Sequence, residues 1–389
     1  MHARLHSHLR TSGFTLIELL VGLLIGLIAG VAILSATYFF EDFKRTQFGT
    51  SAAADSSVLA MLAIGRDIKG AGVGVATSGR NNQSTIICPA LNAYFNGVLI
   101  DNAAIAPVWV TRPGGVGASD TISIAGASSI GAAAPIALST GMATGTDPLN
   151  VPSAQGITIP GPNTQGSVLL VSAYSGNGSV TAPCTVMQVS GTSLQANSTQ
   201  IAHAAGSGNW NPPATVVFSN PQAYGAGASV MNAGAFTWTT YQVNNATATL
   251  QLVDQFASAG TPATPLAENV VYMRAQYGVV AGTGLSVAQW VDATGAWAWP
   301  LSAASMSQIR AIRVGLVTRI PAAVKPSGGP GAACDATTAA TLPVIFAATA
   351  SPLGAAVTAD LSATQNWQCY RYRTQSLVIP LKNIVFGEQ

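Results

Sequence analysis

The chain has 389 residues, a formal net charge of +2 and 8% charged residues, with a hydrophobic fraction of 49% and a mean hydropathy of +0.38. Soluble domains carry about 25% charged residues, so the bulk composition alone is typical of a membrane protein. The composition excludes a disordered chain, and near-neutral charge without a Lys/Arg cluster excludes a nucleic-acid-binding protein. The length allows one large domain or two modest ones.

One segment, Phe14 to Phe40, is long enough to cross a bilayer. Its 27 residues contain a single charged side chain, Glu18, and about 20 apolar residues suffice for a membrane helix. Residues 1–13 hold Arg4 and Arg10 and no acid, a pattern that keeps this side in the cytoplasm. Elsewhere Gly, Ser and Thr dilute the apolar residues. We therefore predict a single anchor on a soluble body.

The start of this segment, residues 13–20 with the sequence GFTLIELL, resembles the class III leader of type IV prepilins and pseudopilins. The resemblance implies that residues 1–13 are a leader, which a prepilin peptidase removes between Gly13 and Phe14 before methylating the amine of Phe14. It also implies that Glu18 pairs with the N-terminal amine of a neighbouring subunit. A carboxylate in a membrane helix is costly and normally has a partner, which agrees with that role. The alternative is a Glu18 close enough to the interface to stay hydrated.

Three glycines recur every four residues within the anchor, at Gly22, Gly26 and Gly30. Stripes of small residues let membrane helices approach closely, so we predict packing of this helix into a bundle of subunits. The alternative is that glycine is simply common in membrane helices. Residues 14–40 contain no proline, whereas many major pilins have one in this segment, and this difference favours a minor pilin or a pseudopilin.

The helix is predicted to continue beyond the anchor, through residues 41–70, as an amphipathic helix that ends after about Lys69. Glycines at 70, 72 and 74 end it, and because they follow a helix they do not form a nucleotide-binding loop. The segment 59–72, with Arg66-Asp67-Ile68, resembles the PilW class of minor pilins. Apolar residues at spacings of three and four predict the buried stripe: Val58, Met61, Leu62, Gly65 and Ile68.

The rest of the chain, residues 71–389, is predicted to be a β-rich head. The fold class is therefore α+β and type IV pilin-like, with a long N-terminal helix packed on a mainly antiparallel β body with long loops. Residues 113–273 contain no Lys or Arg and four acids, and we interpret them as an elaborated region with long loops. Short Val/Ile/Thr/Leu runs broken by Gly, Pro and Asn predict strands at Val98–Ile100, Val108–Thr111, Thr121–Ile124, Val168–Ser172, Thr215–Phe218 and Phe236–Val243.

A second resemblance lies in the C-terminal part of the head. Leu266–Gly278 and Ile309–Arg319 are similar to consecutive strands of PilW-like and J-type pseudopilins, and Tyr370–Arg373 with Leu377–Asn383 are similar to their closing segment. In the second of these strands, Ile312, Val314 and Leu316 are expected to alternate inward.

The four cysteines, Cys88, Cys184, Cys334 and Cys369, show no C-x-x-C spacing. An even number in an exported domain predicts disulfides, and three pairings are open. Order along the chain favours Cys88–Cys184 and Cys334–Cys369. The alternative is a zinc site. The sequence argues against it, because no histidine lies near any cysteine.

Catalytic chemistry has little support. Once the leader is removed, His203 is the last histidine, and we predict it to be a solvated loop residue without a nearby acid. A ligand-binding aromatic surface is the alternative to core packing for Tyr224, Trp238, Trp290, Trp297, Trp299 and Trp367. Within that set, Trp297 and Trp299 are the best binding candidates, because alternation would place both on one face of a strand.

These features together predict a minor pilin that primes or caps a type IV pilus, with no cofactor, no metal and no enzymatic activity. The alternatives are a J-like minor pseudopilin of a type II secretion system and a surface adhesin on a pilin scaffold. The expected partners are prepilin peptidase, other minor pilins, the major pilin and the inner-membrane assembly machinery, with no nucleic acid. We expect a single pass through the inner membrane by residues 14–40, with the body in the periplasm and then on the cell surface after assembly.

Overall fold

The computed structural model describes residues 15–72, 75–78, 84–86, 88–127, 135–173, 182–195, 198–220, 222–282, 284, 286–329 and 331–381. The chain divides into two compact units, Met1–Ala52 and Ala53–Gln389. Helix α1, Leu16–Gly70, contributes residues to both units. The second unit also has a short helix α2, Ala303–Met306, and three 3₁₀ helices, Gly295–Trp297, Ala339–Thr341 and Trp367–Cys369.

Among the described residues the second unit contains 24 strands. They are β1 (Ala76–Ser78), β2 (Ser84–Ile86), β3 (Ala90–Phe95), β4 (Val98–Ala104), β5 (Val108–Thr111), β6 (Thr121–Ala127), β7 (Ile136–Ala137), β8 (Leu149–Val151), β9 (Val168–Ser172), β10 (Cys184–Gln188), β11 (Gly191–Gln195), β12 (Ser198–Ala202), β13 (Ser229–Gly234), β14 (Phe236–Asn244), β15 (Thr249–Asp254), β16 (Thr264–Glu268), β17 (Val270–Val279), β18 (Gln289–Asp292), β19 (Ile309–Arg319), β20 (Val344–Phe346), β21 (Thr349–Ala350), β22 (Leu353–Gly354), β23 (Val357–Thr358) and β24 (Tyr372–Pro380).

In the first unit, the described part of α1 is apolar and exposed. From Leu16 to Phe40 every large apolar side chain is between 50% and 80% exposed. The span Leu16–Glu41 has 26 residues and a mean hydropathy of 2.7, so it is long and apolar enough to cross a membrane. Because none of this span is buried within the chain, its apolar surface is available to lipid or to other helices.

In the second unit, the last turns of α1 bury one face. The buried residues Ala60, Met61, Ile64 and Ile68 follow spacings of three and four, as expected of an amphipathic helix. The predicted stripe was partly wrong, since Val58 is 41% and Leu62 is 62% exposed. The physical reason is that small side chains allow the sheet to approach: Ser57 and Ala60, which were not predicted, are buried on this face, and Gly65 is buried as predicted.

Two contacts and a tight turn fix this helical face. The Ser57 hydroxyl donates a hydrogen bond of 2.7 Å to Oε1 of Gln375, and a Cβ at Gly65 would lie 3.0 Å from Cδ2 of Leu377. The helix ends at Gly70, close to the predicted end. Gly72 follows with a φ of +87°, and a Cβ there would be 2.8 Å from Cβ of Pro107. Glycine is therefore required at this turn by both conformation and space.

Two sheets share one hydrophobic core with the buried face of α1. The five-stranded sheet has the order β16-β15-β14-β6-β5, and the six-stranded C-terminal sheet has the order β21-β22-β18-β17-β19-β24. Ile312, Val314 and Leu316 of β19 point into this core as expected. The opposite face of β19 is also covered, because Val317 packs with Ile345 in a separate core, and β19 is therefore buried on both faces rather than on alternate residues.

The middle of the chain forms a second six-stranded sheet, with the order β4-β3-β10-β9-β13-β7, next to a three-stranded sheet, β11-β12-β8. Separate cores lie on the two faces of β9 and β10, one containing Val186 and Trp210, the other Leu169 and Ile201. Apart from the β3–β10 and β18–β22 pairs, the described strand pairs are antiparallel. The predicted α+β class, with an apolar N-terminal helix followed by a mostly antiparallel β body, is confirmed.

Two strand predictions were wrong. Thr215–Phe218 lies in a loop without regular structure, because the preceding Pro212 and Pro213 favour a turn that the Val216 amide closes on the carbonyl of Pro213. Trp297 and Trp299 do not share a strand face either. The chain forms a 3₁₀ turn there, in which the Trp297 amide donates to the Thr294 carbonyl at 3.0 Å.

Candidate functional site at the N-terminal helix and in the head

The predicted peptidase site, Gly13 and Phe14, and the leader before it lie outside the described residues. The described chain begins at Thr15, which is the residue before α1. The structure therefore describes the helix start that follows the predicted cleavage point.

Glu18 takes part in a capping box with Thr15. Oε2 of Glu18 accepts hydrogen bonds of 3.1 Å from both the amide and the hydroxyl of Thr15, and the amide of Glu18 donates to Oγ1 of Thr15 at 3.3 Å. Such a reciprocal pair satisfies two amides that a helix start otherwise leaves without partners. The spacing Thr-x-x-Glu is the sequence signal for this motif, and the capping box was not among the predicted features.

Gly22, Gly26 and Gly30 lie on α1 in the apolar span. A Cβ built on any of the three would meet nothing within 4 Å in this chain. The glycines are thus not required by contacts within the described chain, and the surface that they form is open to another helix.

The four cysteines form two disulfides in the head, Cys88–Cys184 and Cys334–Cys369, which is the pairing that order along the chain favours. Their Cα–Cα distances are 5.1 and 4.7 Å, within the usual range. The first joins the start of β10 to the residues before β3, and both cysteines are fully buried.

A cluster of charged side chains, which we call the ion cluster, connects the five-stranded sheet to the C-terminal sheet. It consists of Arg112, Asp120, Arg274 and Asp292. Arg112 donates to Asp120 from Nε at 3.0 Å and contacts Asp292 through both Nη atoms at 3.0 Å. Arg274 bridges the same two carboxylates at 3.4 Å. Such bidentate, charge-assisted pairs fix orientation as well as adding attraction.

Burial differs within the ion cluster. The side chain of Asp120 is 0% exposed and also accepts a hydrogen bond of 2.9 Å from the Ala275 amide, whereas Asp292 is 36% exposed. Burial alone would raise the pKa of Asp292, but hydrogen bonds from Arg112 and Gln276 and the charges of Arg274 and Arg112 lower it to about 2. For Arg112, burial opposes the charge, but the two carboxylates outweigh it and raise its pKa.

Arg313 extends the ion cluster into the C-terminal sheet. Its Nε donates to Oε1 of Gln276 at 2.6 Å, and its guanidinium carbon lies 4.8 and 4.3 Å from the ring centroids of Trp290 and Phe346. Burial lowers the pKa of Arg313 to about 10, with Asp292 opposing. None of these residues was predicted as a site residue. No local pattern indicates the cluster, because contacts such as Arg112–Asp292 join positions 180 residues apart.

The aromatic residues considered for binding pack inside the head. Trp299 stacks on Trp109 with centroids 4.5 Å apart, and Trp238 meets Trp109 edge-on at 5.3 Å. Tyr224 is 3% exposed, and its hydroxyl lies 2.6 Å from Oγ1 of Thr185. Trp290 covers Arg313, as described above. These contacts account for the rings as core residues.

His203 is not the solvated residue that the sequence predicted. It is partly buried, and its Nε2 lies 2.8 Å from the main-chain carbonyl oxygen of Asp147. Burial lowers the pKa of His203, although this contact opposes the shift. Within the described ranges no group of three or more His, Cys, Asp or Glu side chains is placed to hold a metal ion.

An apolar N-terminal helix of membrane-spanning length followed by a mostly antiparallel β head is the architecture of a type IV pilin-like protein. Residues 240–383 match the family model described as type IV pilus-assembly protein W, PilW. The match confirms the resemblance to the PilW class, and it begins within β14 and includes β17, β19 and β24.

Among solved structures, a type IV-like pilin from Thermus thermophilus is similar at 16% sequence identity with a TM-score of 0.21. The alignment covers 39% of this chain and 66% of that one, slightly less than two thirds of its length. No curated protein matches the chain.

Proposed function

We propose that this protein is a minor pilin that takes part in the assembly of a type IV pilus, by priming or capping it. The observation that carries the proposal is the exposed apolar span Leu16–Glu41 in a chain whose C-terminal region matches PilW. A helix with this much exposed apolar surface is stable in lipid, and it can leave lipid only for a bundle of other apolar helices. The role is structural, and no step in it requires catalysis by this chain.

Glu18 gives the helix its register in this proposal. Cleavage after Gly13 would create an amine at Phe14, next to the Thr15 amide that already donates to Oε2 of Glu18. Oε2 is the oxygen of Glu18 that accepts both hydrogen bonds from Thr15, and we assign Oε1 to a neighbouring subunit's amine. The stripe of Gly22, Gly26 and Gly30 would lie against a neighbouring helix, and the head would contact other minor pilins.

The proposed location follows from the same features. Arg4 and Arg10 ahead of the span favour a cytoplasmic N-terminus and a periplasmic head in the inner membrane. Two disulfides in the head are consistent with an oxidising compartment. Prepilin peptidase, the major pilin and the inner-membrane assembly machinery are the partners that this route requires.

Processing is the first test. Mass spectrometry of the chain purified from membranes should find methylated Phe14 at the N-terminus. A chain that retains residues 1–13, or that is cut after the apolar span, would refute the pilin proposal. The measurement does not depend on whether assembly succeeds.

The second test separates the two roles of Glu18. Glu18→Ala removes both the capping box and the proposed pairing, whereas Thr15→Ala removes the cap alone. We expect both variants to be cleaved, with incorporation into pili reduced at least tenfold by Glu18→Ala only. Glu41→Ala, at the other end of the span, is the matched control. Equal incorporation of Glu18→Ala and Thr15→Ala would contradict the pairing.

A further inference from the structure

A long groove lies on the middle part of the head, outside the region that matches PilW. It consists of two adjoining pockets of about 390 and 410 Å³ that share Thr146, His203 and Ala204 in their walls. Each volume is in the range of about 300–1,000 Å³ that is usual for small-molecule sites. Because its walls lie between residues 143 and 222, the scaffold common to the family does not account for the groove.

The lining of this groove combines apolar surface with uncharged polar side chains. None of the described residues that line either pocket is Asp, Glu, Lys or Arg. Hydroxyl and amide side chains are distributed along both pockets, and an apolar wall formed by Pro213, Val216 and Val217 faces the first one. The uncharged polar side chains of this lining include Thr144, Thr192, Ser193, Asn220 and Gln222.

The carboxylates of two aspartates near the groove hold its loops in place by accepting hydrogen bonds. The carboxylate of Asp147 accepts hydrogen bonds from the amides of Ala143 and Thr144 at 3.1 and 2.9 Å, which fixes the turn at one wall. Asp101 accepts from the amide and the hydroxyl of Ser219 at 3.0 Å, which fixes the loop at the opposite wall. Neither aspartate lines the groove.

The loop that forms much of the first pocket is held by buried amides. The side chain of Asn211, 3% exposed, accepts from the Gln188 amide at 2.8 Å and donates to the Gln188 carbonyl at 2.7 Å. The side-chain oxygen of Gln188 in turn accepts from the Asn209 amide at 2.7 Å. A loop with this many buried hydrogen bonds keeps its shape before a ligand arrives, and preorganisation of this kind reduces the entropic cost of binding.

We propose that this groove binds an uncharged oligosaccharide. An ionic ligand would lose its hydration without gaining an opposite charge, which is unfavourable. A purely apolar ligand would remove the exposed hydroxyl and amide groups from water without offering them hydrogen bonds. A neutral sugar is complementary to both parts of the lining. Its apolar C–H faces can pack against the apolar wall, and its hydroxyls can donate hydrogen bonds to the polar side chains and accept hydrogen bonds from them. Two joined pockets fit at least two sugar units. This proposal goes beyond assembly and is independent of it.

The test is ligand-observed NMR by saturation transfer on the full chain, in a detergent without a sugar head group. The neutral probes are trimers of glucose and of N-acetylglucosamine, which represent unmodified and N-acetylated glycans. The charged probes are trimers of galacturonic acid and of glucosamine. We expect at least one neutral trimer to bind, and both charged trimers to bind at least tenfold more weakly than it does.

Paired variants locate the binding. Ala204 is exposed and lines both pockets, so Ala204→Trp should block the groove and reduce affinity for the neutral trimer at least tenfold. Ala246→Trp, at an exposed alanine in the turn between β14 and β15, is the matched control and should not change it. If Ala204→Trp fails to fold, Gln222→Ala serves instead, with an expected loss of about fivefold.

Three results would overturn the proposal. They are binding of neither neutral trimer, binding of a charged trimer as tight as that of the neutral ones, and equal loss of affinity in the groove variant and the Ala246→Trp control. A pilus that assembles normally but whose subunit fails these tests would leave the assembly proposal intact, so the two proposals can fail separately.

Discussion

Two regions of the head both bury polar side chains, but the partners of those side chains differ. At the C-terminal sheet the ion cluster buries Arg112 and Arg274 with two carboxylates. In the middle sheet the buried side chain of Asn211 pairs with the main-chain amide and carbonyl of Gln188, and no charged group takes part. The C-terminal region matches PilW, and the middle region before residue 240 does not.

The difference predicts distinct responses to perturbation. A buried charge that loses its partner is far more costly than a buried amide that loses a hydrogen bond, because a charge is more strongly hydrated in the unfolded chain. The Gln188–Asn211 pair cannot respond to acid, since amides do not titrate.

The largest effect is expected at Asp120. Its replacement by alanine leaves the Ala275 amide without its acceptor and removes one of the two carboxylates that pair with Arg112 and Arg274, in a site that is 0% exposed. We expect a loss of about 3–5 kcal/mol in the free energy of unfolding. The measurement is chemical denaturation of the full chain in detergent, followed by tryptophan fluorescence. Asp55→Ala, at an exposed position of α1, is the control and should change stability by less than about 0.5 kcal/mol. Similar stabilities of the two variants would show that the ion cluster contributes nothing.

A smaller loss is expected in the middle region. Asn211→Ala leaves the amide and carbonyl of Gln188 buried without their side-chain partners. The expected cost is about 2 kcal/mol, below that at Asp120. This loss should be the same at pH 3 and at pH 7, as measured by the same denaturation. A loss that exceeds that of Asp120→Ala would reverse the comparison.

The fold was largely predictable where local pattern decides it. β5 and β9 lie at the predicted bounds because apolar β-branched runs end at clear breakers or charges, and α1 ends at the predicted glycines. β19 lies at the bounds that the resemblance to PilW-like strands implied. Thr215–Phe218 has the same composition but follows two prolines, and the loop conformation prevailed. In α1 the predicted buried face was correct at Met61, Gly65 and Ile68 but wrong at Val58 and Leu62, because small side chains such as Ser57 decide which face a sheet can approach.

The candidate sites were predictable only in part. Glu18 and the glycine stripe are local motifs in one helix, and the sequence can identify them. The ion cluster depends on β5, β17 and β18 meeting in space, and its Arg112–Asp292 contact spans 180 residues. The groove is built from loops whose shape is set by Gln188–Asn211 and by Asp101–Ser219, and no spacing in the sequence indicates those contacts.

The smallest effect concerns acid. The pKa of Asp292 is about 2 in the folded chain against 3.8 for the unperturbed carboxyl, so the folded state binds this proton less readily than the unfolded state. Its contribution to stability is therefore complete above about pH 4 and is lost as the pH falls towards 2. Because Asp292 is 36% exposed, solvent screens the interaction and the change is modest.

Asp292→Asn should flatten the fall in stability between pH 4 and pH 2 without removing it, since hydrogen bonds from Ser327 and Ser362 also lower the pKa of Asp335 and Asp360. Denaturation midpoints at several pH values measure this. As the pH falls below 2 the variant and the original chain should converge, because the carboxyl of Asp292 then becomes neutral like the amide of asparagine. If the two curves stay parallel across the window, Asp292 does not carry the acid sensitivity.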